Sequence, residues 1–160
     1  LNFYTSDFII KEEYNSRRNT TMVQIIAGEK GKGKTKHLLD MANAAVKDAK
    51  GSVVYLDKSS KHMYELSNKI RLINVGEYEI LSSDGFIGFV SGIISQDHDV
   101  ETMFLDSFLK LSCLEGEDIT STIDSLEKIG DKYKVNFVLS ISMDAGLLPE
   151  NAKKDVIISL

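Results

Sequence analysis

The chain has 160 residues, 42% of them hydrophobic, a formal charge of −5 and a single cysteine, Cys113. That length and apolar content support one domain around one sizeable core. The negative balance excludes a global attraction to nucleic acid or to an anionic membrane, and one cysteine excludes an internal disulfide framework and fits a reducing cytosol. No run approaches the length of a membrane span and no charged-then-apolar signal segment opens the chain, so a cytoplasmic protein is expected.

Residues 1–21 stand apart from the rest of the chain. Leu1 to Ile10 has some apolar character, whereas Lys11 to Thr21 is polar and charged, with Arg17-Arg18 and no clear period. A poorly ordered N-terminal appendage is expected here, with the domain proper at 22–160, beginning at Met22. Val23 to Ala27 then reads as a short buried strand that breaks into a glycine-rich turn and enters a helix. From Gly28 to Thr35 the residues fit G-x-x-x-x-G-K-[ST], the Walker A or P-loop pattern. Gly28, Gly31 and Gly33 are expected to supply positive φ angles and close backbone approach. The N–H groups at the start of the helix would face phosphates, with the positive end of the helix dipole behind them. Lys34 would reach the β- and γ-phosphates, and the Thr35 hydroxyl would bind Mg²⁺. Lys30, Lys32, Lys34 and Lys36 alternate through the loop, a local positive charge that suits a polyphosphate better than a duplex. The bland alternative, a lysine- and glycine-rich surface turn, does not account for the strand before the loop or the amphipathic helix after it.

From Lys34 to Lys50, apolar Leu38, Met41, Ala42, Ala45 and Val46 recur at steps of three and four, which predicts a helix with one face for a sheet. Gly51 ends it, and Ser52 to Leu56 is a β-branched run expected as a buried parallel strand finishing at Asp57. Lys61 to Lys69 is expected as a helical segment and Arg71 to Val75 as a short strand stopped by Gly76. Ser82-Ser83-Asp84 resembles a helix N-cap region. The helix after it carries a broad face of Phe86, Ile87, Phe89, Val90, Ile93 and Ile94, and its Gly85, Gly88 and Gly92 suggest close packing on neighbours. Val100 to Asp106 is an apolar strand ending in an acid, the Walker B pattern, whose carboxylate would hold Mg²⁺ because a hard cation prefers oxygen ligands. A turn-forming Asp is the plainer alternative. The acidic stretch Glu115 to Asp118 leads to a helix over 119–134, with Ile123, Leu126 and Ile129 inward and Gly130 loosening its end. Val135 to Ile141 is another strand, with Ser140, Ser142 and Asp144 at its tip, and Asp155 to Leu160 supplies the last one.

Strand, P-loop, helix, strand, Walker B strand and two further strands cover residues 22–160 in a pattern that resembles the P-loop NTPase superfamily. The short closing strands resemble its RecA-like branch. The resemblance implies a three-layer α/β fold, a doubly wound, mostly parallel sheet with helices on both faces, and ATP or another nucleoside triphosphate with Mg²⁺ as ligand. Carried over by position, Gly28, Glu29, Lys30, Gly31, Lys32, Gly33, Lys34, Thr35 and Lys36 would line the phosphates. Thr35 and Asp106 would manage the metal, and Ser140 or Ser142 would take a polar position at the γ-phosphate. Many members carry a glutamate after the Walker B Asp or near the tip of the second strand to orient the attacking water. Here Asp106 is followed by Ser107, and the second strand ends in Asp57-Lys58-Ser59, so Asp57 is the substitute, or else caps the next turn. Past Arg18 the only arginine is Arg71, which leaves few candidates for an arginine finger. The expected function is a slow Mg²⁺-dependent ATPase or nucleotide-dependent switch, acting on a protein partner or as a homo-oligomer, with nucleic acid not favoured. A small-molecule kinase and a nucleotide-binding module with negligible turnover are the alternatives. The absence of an N/T-K-x-D base-reading motif favours ATP over GTP.

Overall fold

In the computed structural model of the chain, residues 21–160 are described. The expected appendage at 1–21 therefore lies outside the described residues, except for Thr21. The Thr21 hydroxyl bonds to the Val23 carbonyl and to Glu127 Oε1, and Glu127 also accepts from the Met22 and Val23 N–H groups.

Six strands form one sheet: β1 Val23–Gly28, β2 Ser52–Asp57, β3 Arg71–Asn74, β4 Val100–Leu105, β5 Asn136–Ser142 and β6 Val156–Ser159. Their order across the sheet is β3-β2-β4-β5-β1-β6, and every neighbouring pair is parallel. All C-terminal tips therefore lie along one edge. Parallel pairing needs a crossover for each connection, and the longer ones are helices: α1 Lys34–Asp48, α2 Ser83–Gln96 and α4 Thr120–Tyr133, with the short α3 Phe108–Leu111 and α5 Glu150–Lys153.

Alternation along the strands divides the core in two. Ile26, Val53, Tyr55, Phe104 and Val138 pack against Leu38, Leu39 and Ala42 of α1. The intervening Ile25, Val54, Leu56, Met103, Leu105, Phe137 and Leu139 pack on the opposite face against Phe86 and Val90 of α2, Phe108 of α3, and Ile123 and Leu126 of α4. Helices cover both faces of a parallel sheet buried on both sides, which is why the central strands read as nearly continuous apolar runs. The fold is the expected three-layer α/β fold, a wholly parallel sheet with helices on both faces.

Three expectations change on contact with the packing. Lys61 to Lys69 forms successive turns rather than a helix. Asn43 of α1 takes the Glu65 carbonyl and the Ser67 N–H with its side-chain amide, groups that a helix would need for itself, while Leu66 and Ile70 are buried on the α1 face. Gly88 and Gly92 face open space, so α2 does not use them for close packing. Gly130 does the opposite of loosening its helix: a Cβ there would lie 2.6 Å from Met22 Cβ and 2.7 Å from the Val135 carbonyl oxygen, so the chain passes tightly over it.

Candidate functional site

The same alternation that builds the core aims the polar strand tips. Residues 57, 106 and 140 each lie two positions beyond an apolar residue, Tyr55, Phe104 or Val138, that packs toward α1. At that period Asp57, Asp106 and Ser140 share the α1 face, at the edge where β1 turns into α1.

The turn itself takes two glycines into the left-handed region, Gly31 at φ 86° and Gly33 at φ 90°, and no side chain caps the helix that starts at Lys34. Its first-turn N–H groups are thus left for a ligand or solvent. Gly28 is different from the expectation: its φ is not positive, and its role is close approach, since a Cβ there would sit 3.0 Å from Leu160 Cβ. Glu29, Lys30, Lys32 and Lys36 are exposed. Lys36 is turned along the helix, paired with Asp40 at 3.0 Å. Lys34 is buried and donates from Nζ to the Glu29 carbonyl at 2.9 Å, folding back over the loop. Burial lowers its pKa, and the negative charge of Asp106 partly opposes that shift.

Asp106 is the hub. Its Oδ1 accepts from Thr35 Oγ1 at 3.2 Å and from Ser140 Oγ at 2.7 Å, and its Oδ2 accepts from the Tyr55 hydroxyl at 2.9 Å. Ser140 in turn accepts from the Ser107 N–H at 2.8 Å. Ser140 therefore holds Asp106 in place. Ser142, by contrast, is exposed at the end of β5. Ser107 itself, the residue directly after the strand-tip acid, adopts φ 57°, a left-handed conformation.

Asp57 is 4% exposed, and its Oδ1 accepts the Lys58 N–H at 2.7 Å, while its Oδ2 has no partner among the described residues. Burial raises its pKa first and the Asp106 charge adds to that; the Lys58 N–H, His62 and Lys61 pull it back. Two residues were missed by sequence reasoning. Tyr55 reads as an apolar strand position, and only its stacking on Phe104 and its reach to Asp106 reveal a polar task. His62 lies in the segment expected to be helical; one of its ring nitrogens and one carboxylate oxygen each of Asp57 and Asp106 all lie within 4.8 Å of one another. A histidine five residues beyond the acid at a strand tip was the available signal.

No family model matches the sequence, and no curated protein matches it in sequence. Among solved structures the fold is similar to the flagellar accessory protein FlaH from Methanocaldococcus jannaschii, with a TM-score of 0.55 at 14% identity, covering 89% of this chain and 71% of that one. Domain III of the replication initiation protein DnaA from Thermotoga maritima aligns at a TM-score of 0.48 and 13% identity, over 93% of this chain and 57% of that one, a looser likeness that carries no weight. At these identities the likeness is one of fold. Among the described residues no helix is long and apolar enough to cross a membrane.

Proposed function

We propose that the chain binds ATP with Mg²⁺ at residues 28–36 and works as a slow ATPase or nucleotide-dependent switch. The observation that carries this is the apposition of Thr35 Oγ1 and Asp106 Oδ1, 3.2 Å apart, beside an uncapped helix start preceded by two left-handed glycines. Adjacent ligands of an octahedral ion with bonds of about 2.1 Å lie about 3 Å apart, and both donors are hard oxygens, so this pair fits Mg²⁺. Thr35 and Asp106 would hold such an ion, which would supply positive charge against a phosphate's negative charge. The order of the sheet, with β5 and its Ser140 between β1 and β4, supports the RecA-like branch.

Each residue then has a task. The N–H groups of Gly31 to Thr35 hold phosphate oxygens at the positive end of α1. Lys34 exchanges the Glu29 carbonyl for a phosphate oxygen, and the negative ligand offsets the desolvation that now lowers its pKa. Tyr55 and Ser140 fix the Asp106 carboxylate so that one oxygen stays toward Thr35. Asp57 is the group for the attacking water: it has a free carboxylate oxygen and a raised pKa, which makes it a stronger base than an ordinary aspartate.

That base is short and has no glutamate to help it, so binding is well served and the chemical step is not. The expected turnover of the isolated chain is below about 1 s⁻¹, the low end for enzymes. Turnover rises if a partner or a second subunit supplies an acid or an arginine. Calorimetry with Mg²⁺ and ATP on the wild-type chain and on Lys34→Ala tests the binding, which should fall strongly in the variant. Equal affinity in both, or hydrolysis at tens per second by the chain alone, would contradict it.

A further inference from the structure

We infer that Asp57, His62 and Asp106 form a separate cation site that takes a borderline divalent ion of the Zn²⁺ type. The site shares Asp57 and Asp106 with the proposed nucleotide site but does not need the nucleotide, and an ion held there would occupy the Asp57 oxygen that otherwise serves the attacking water. Its donor atoms lie within 4.8 Å of one another. Ligands of a four- to six-coordinate ion with bonds of about 2.0–2.2 Å lie about 3–4 Å apart, so closure requires shifts of less than about an ångström. His62 sits on a turn, where such a shift is easiest.

Geometry alone would leave this as a chance cluster. The independent observation is Asp57 Oδ2, a carboxylate oxygen in a side chain 4% exposed, with no hydrogen-bond partner among the described residues. A buried carboxylate oxygen left unpaired is costly, and a second carboxylate beside it worsens the balance. A dication between the two acids satisfies Asp57 and neutralises both charges.

The third donor sets the kind of ion. Two carboxylates alone suit Mg²⁺ or Ca²⁺, whereas an imidazole selects toward Zn²⁺ and its neighbours. His62 also has the kind of carboxylate partner that ligating histidines commonly have: its Nδ1 is 2.9 Å from Glu65 Oε1. An ionised carboxylate can only accept, so the proton sits on Nδ1 and the lone pair is on Nε2. The Glu65 carbonyl is itself fixed by Asn43 of α1, which ties this turn to the helix that carries Thr35.

The test is a calorimetric titration of chelator-treated chain with Zn²⁺ in the absence of nucleotide, paired with visible absorption of bound Co²⁺ in a Cys113→Ser background. The chain has three histidines, His37, His62 and His98, so the controls are few. One equivalent should bind, with affinity reduced about tenfold or more by His62→Ala and by Asp57→Asn, and about tenfold by Glu65→Ala. His98→Ala should change nothing. Both decisive variants should fold, since one alters a surface turn and the other removes a buried charge. Absence of saturable binding up to about 1 mM, or binding unaffected by His62→Ala, would overturn the site and leave the nucleotide proposal untouched. Lowered ATP turnover in His62→Ala with unchanged Zn²⁺ binding would also overturn it, and would assign His62 to water instead.

Discussion

Asp155, just before β6, shows how a single buried acid makes stability depend on pH. It is buried, its Oδ2 lacks a partner among the described residues, and its pKa is pushed up to about 6. Burial is the main cause; the Glu127 charge adds to it, while Thr21 and Lys154 oppose it. The folded chain therefore keeps a proton that the unfolded chain releases near pH 4. Below that both states are protonated and there is no penalty. Between about pH 4 and 6 the folded state binds more protons than the unfolded, so stability falls as pH rises, and above about 6 the loss is complete. At about 1.4 kcal/mol per pKa unit the loss is at most about 3 kcal/mol, and solvent screening of a group this near the surface reduces it. Asp155→Asn should recover most of it at pH 7 and flatten this part of the profile. Urea denaturation at pH 4.5 and 7.5 checks this; an equal effect of the substitution at both pH values would contradict it.

The glycines of α2 and α4 look alike in sequence and act in opposite ways. Gly88 and Gly92 of α2 have nothing within reach of an added Cβ, so Ala at either should stabilise by about 0.5–1 kcal/mol through the unfolded chain and helix propensity. Gly130 of α4 meets Met22 and the backbone at Val135, so Gly130→Ala should destabilise by about 1–3 kcal/mol. Thermal melts of the three variants separate the cases; a stabilised Gly130→Ala would refute the tight passage. Such differences are not legible in sequence, because they depend on which chain crosses the helix. The strands were legible, since each is an apolar run bounded by glycine or polar residues. The 61–69 segment was not: its apolar Leu66 and the adjoining Ile70 answer to α1, and Asn43, distant in sequence, takes the backbone groups that a helix would have used.

The strand order brings together what the sequence scatters. Thr35, Asp106 and Ser140 are separated by 71 and 34 positions, yet parallel pairing and alternation put Asp106 and Ser140 on one edge and one face, where the start of α1 brings Thr35 to them. The glycine turn at the start of α1 and the strand ending in Asp106 were readable because their patterns are local, a glycine spacing and an apolar run closed by Asp. The supporting contacts of Tyr55, and the meeting of His62 with Asp57, were not, because they depend on how neighbouring strands and the turn beyond β2 pack. The claim on which the proposed function rests is that this edge binds the phosphates of a nucleotide. The most direct measurement is the backbone amide NMR spectrum of the chain titrated with Mg²⁺ and a non-hydrolysable ATP analogue. The largest shifts should fall on Gly31 to Thr35, with a second group at Asp106, Ser107 and Ser140, and little change in β3 or β6. A spectrum that stays unchanged at millimolar analogue, or one whose shifts lie away from the loop, would contradict nucleotide binding at this site.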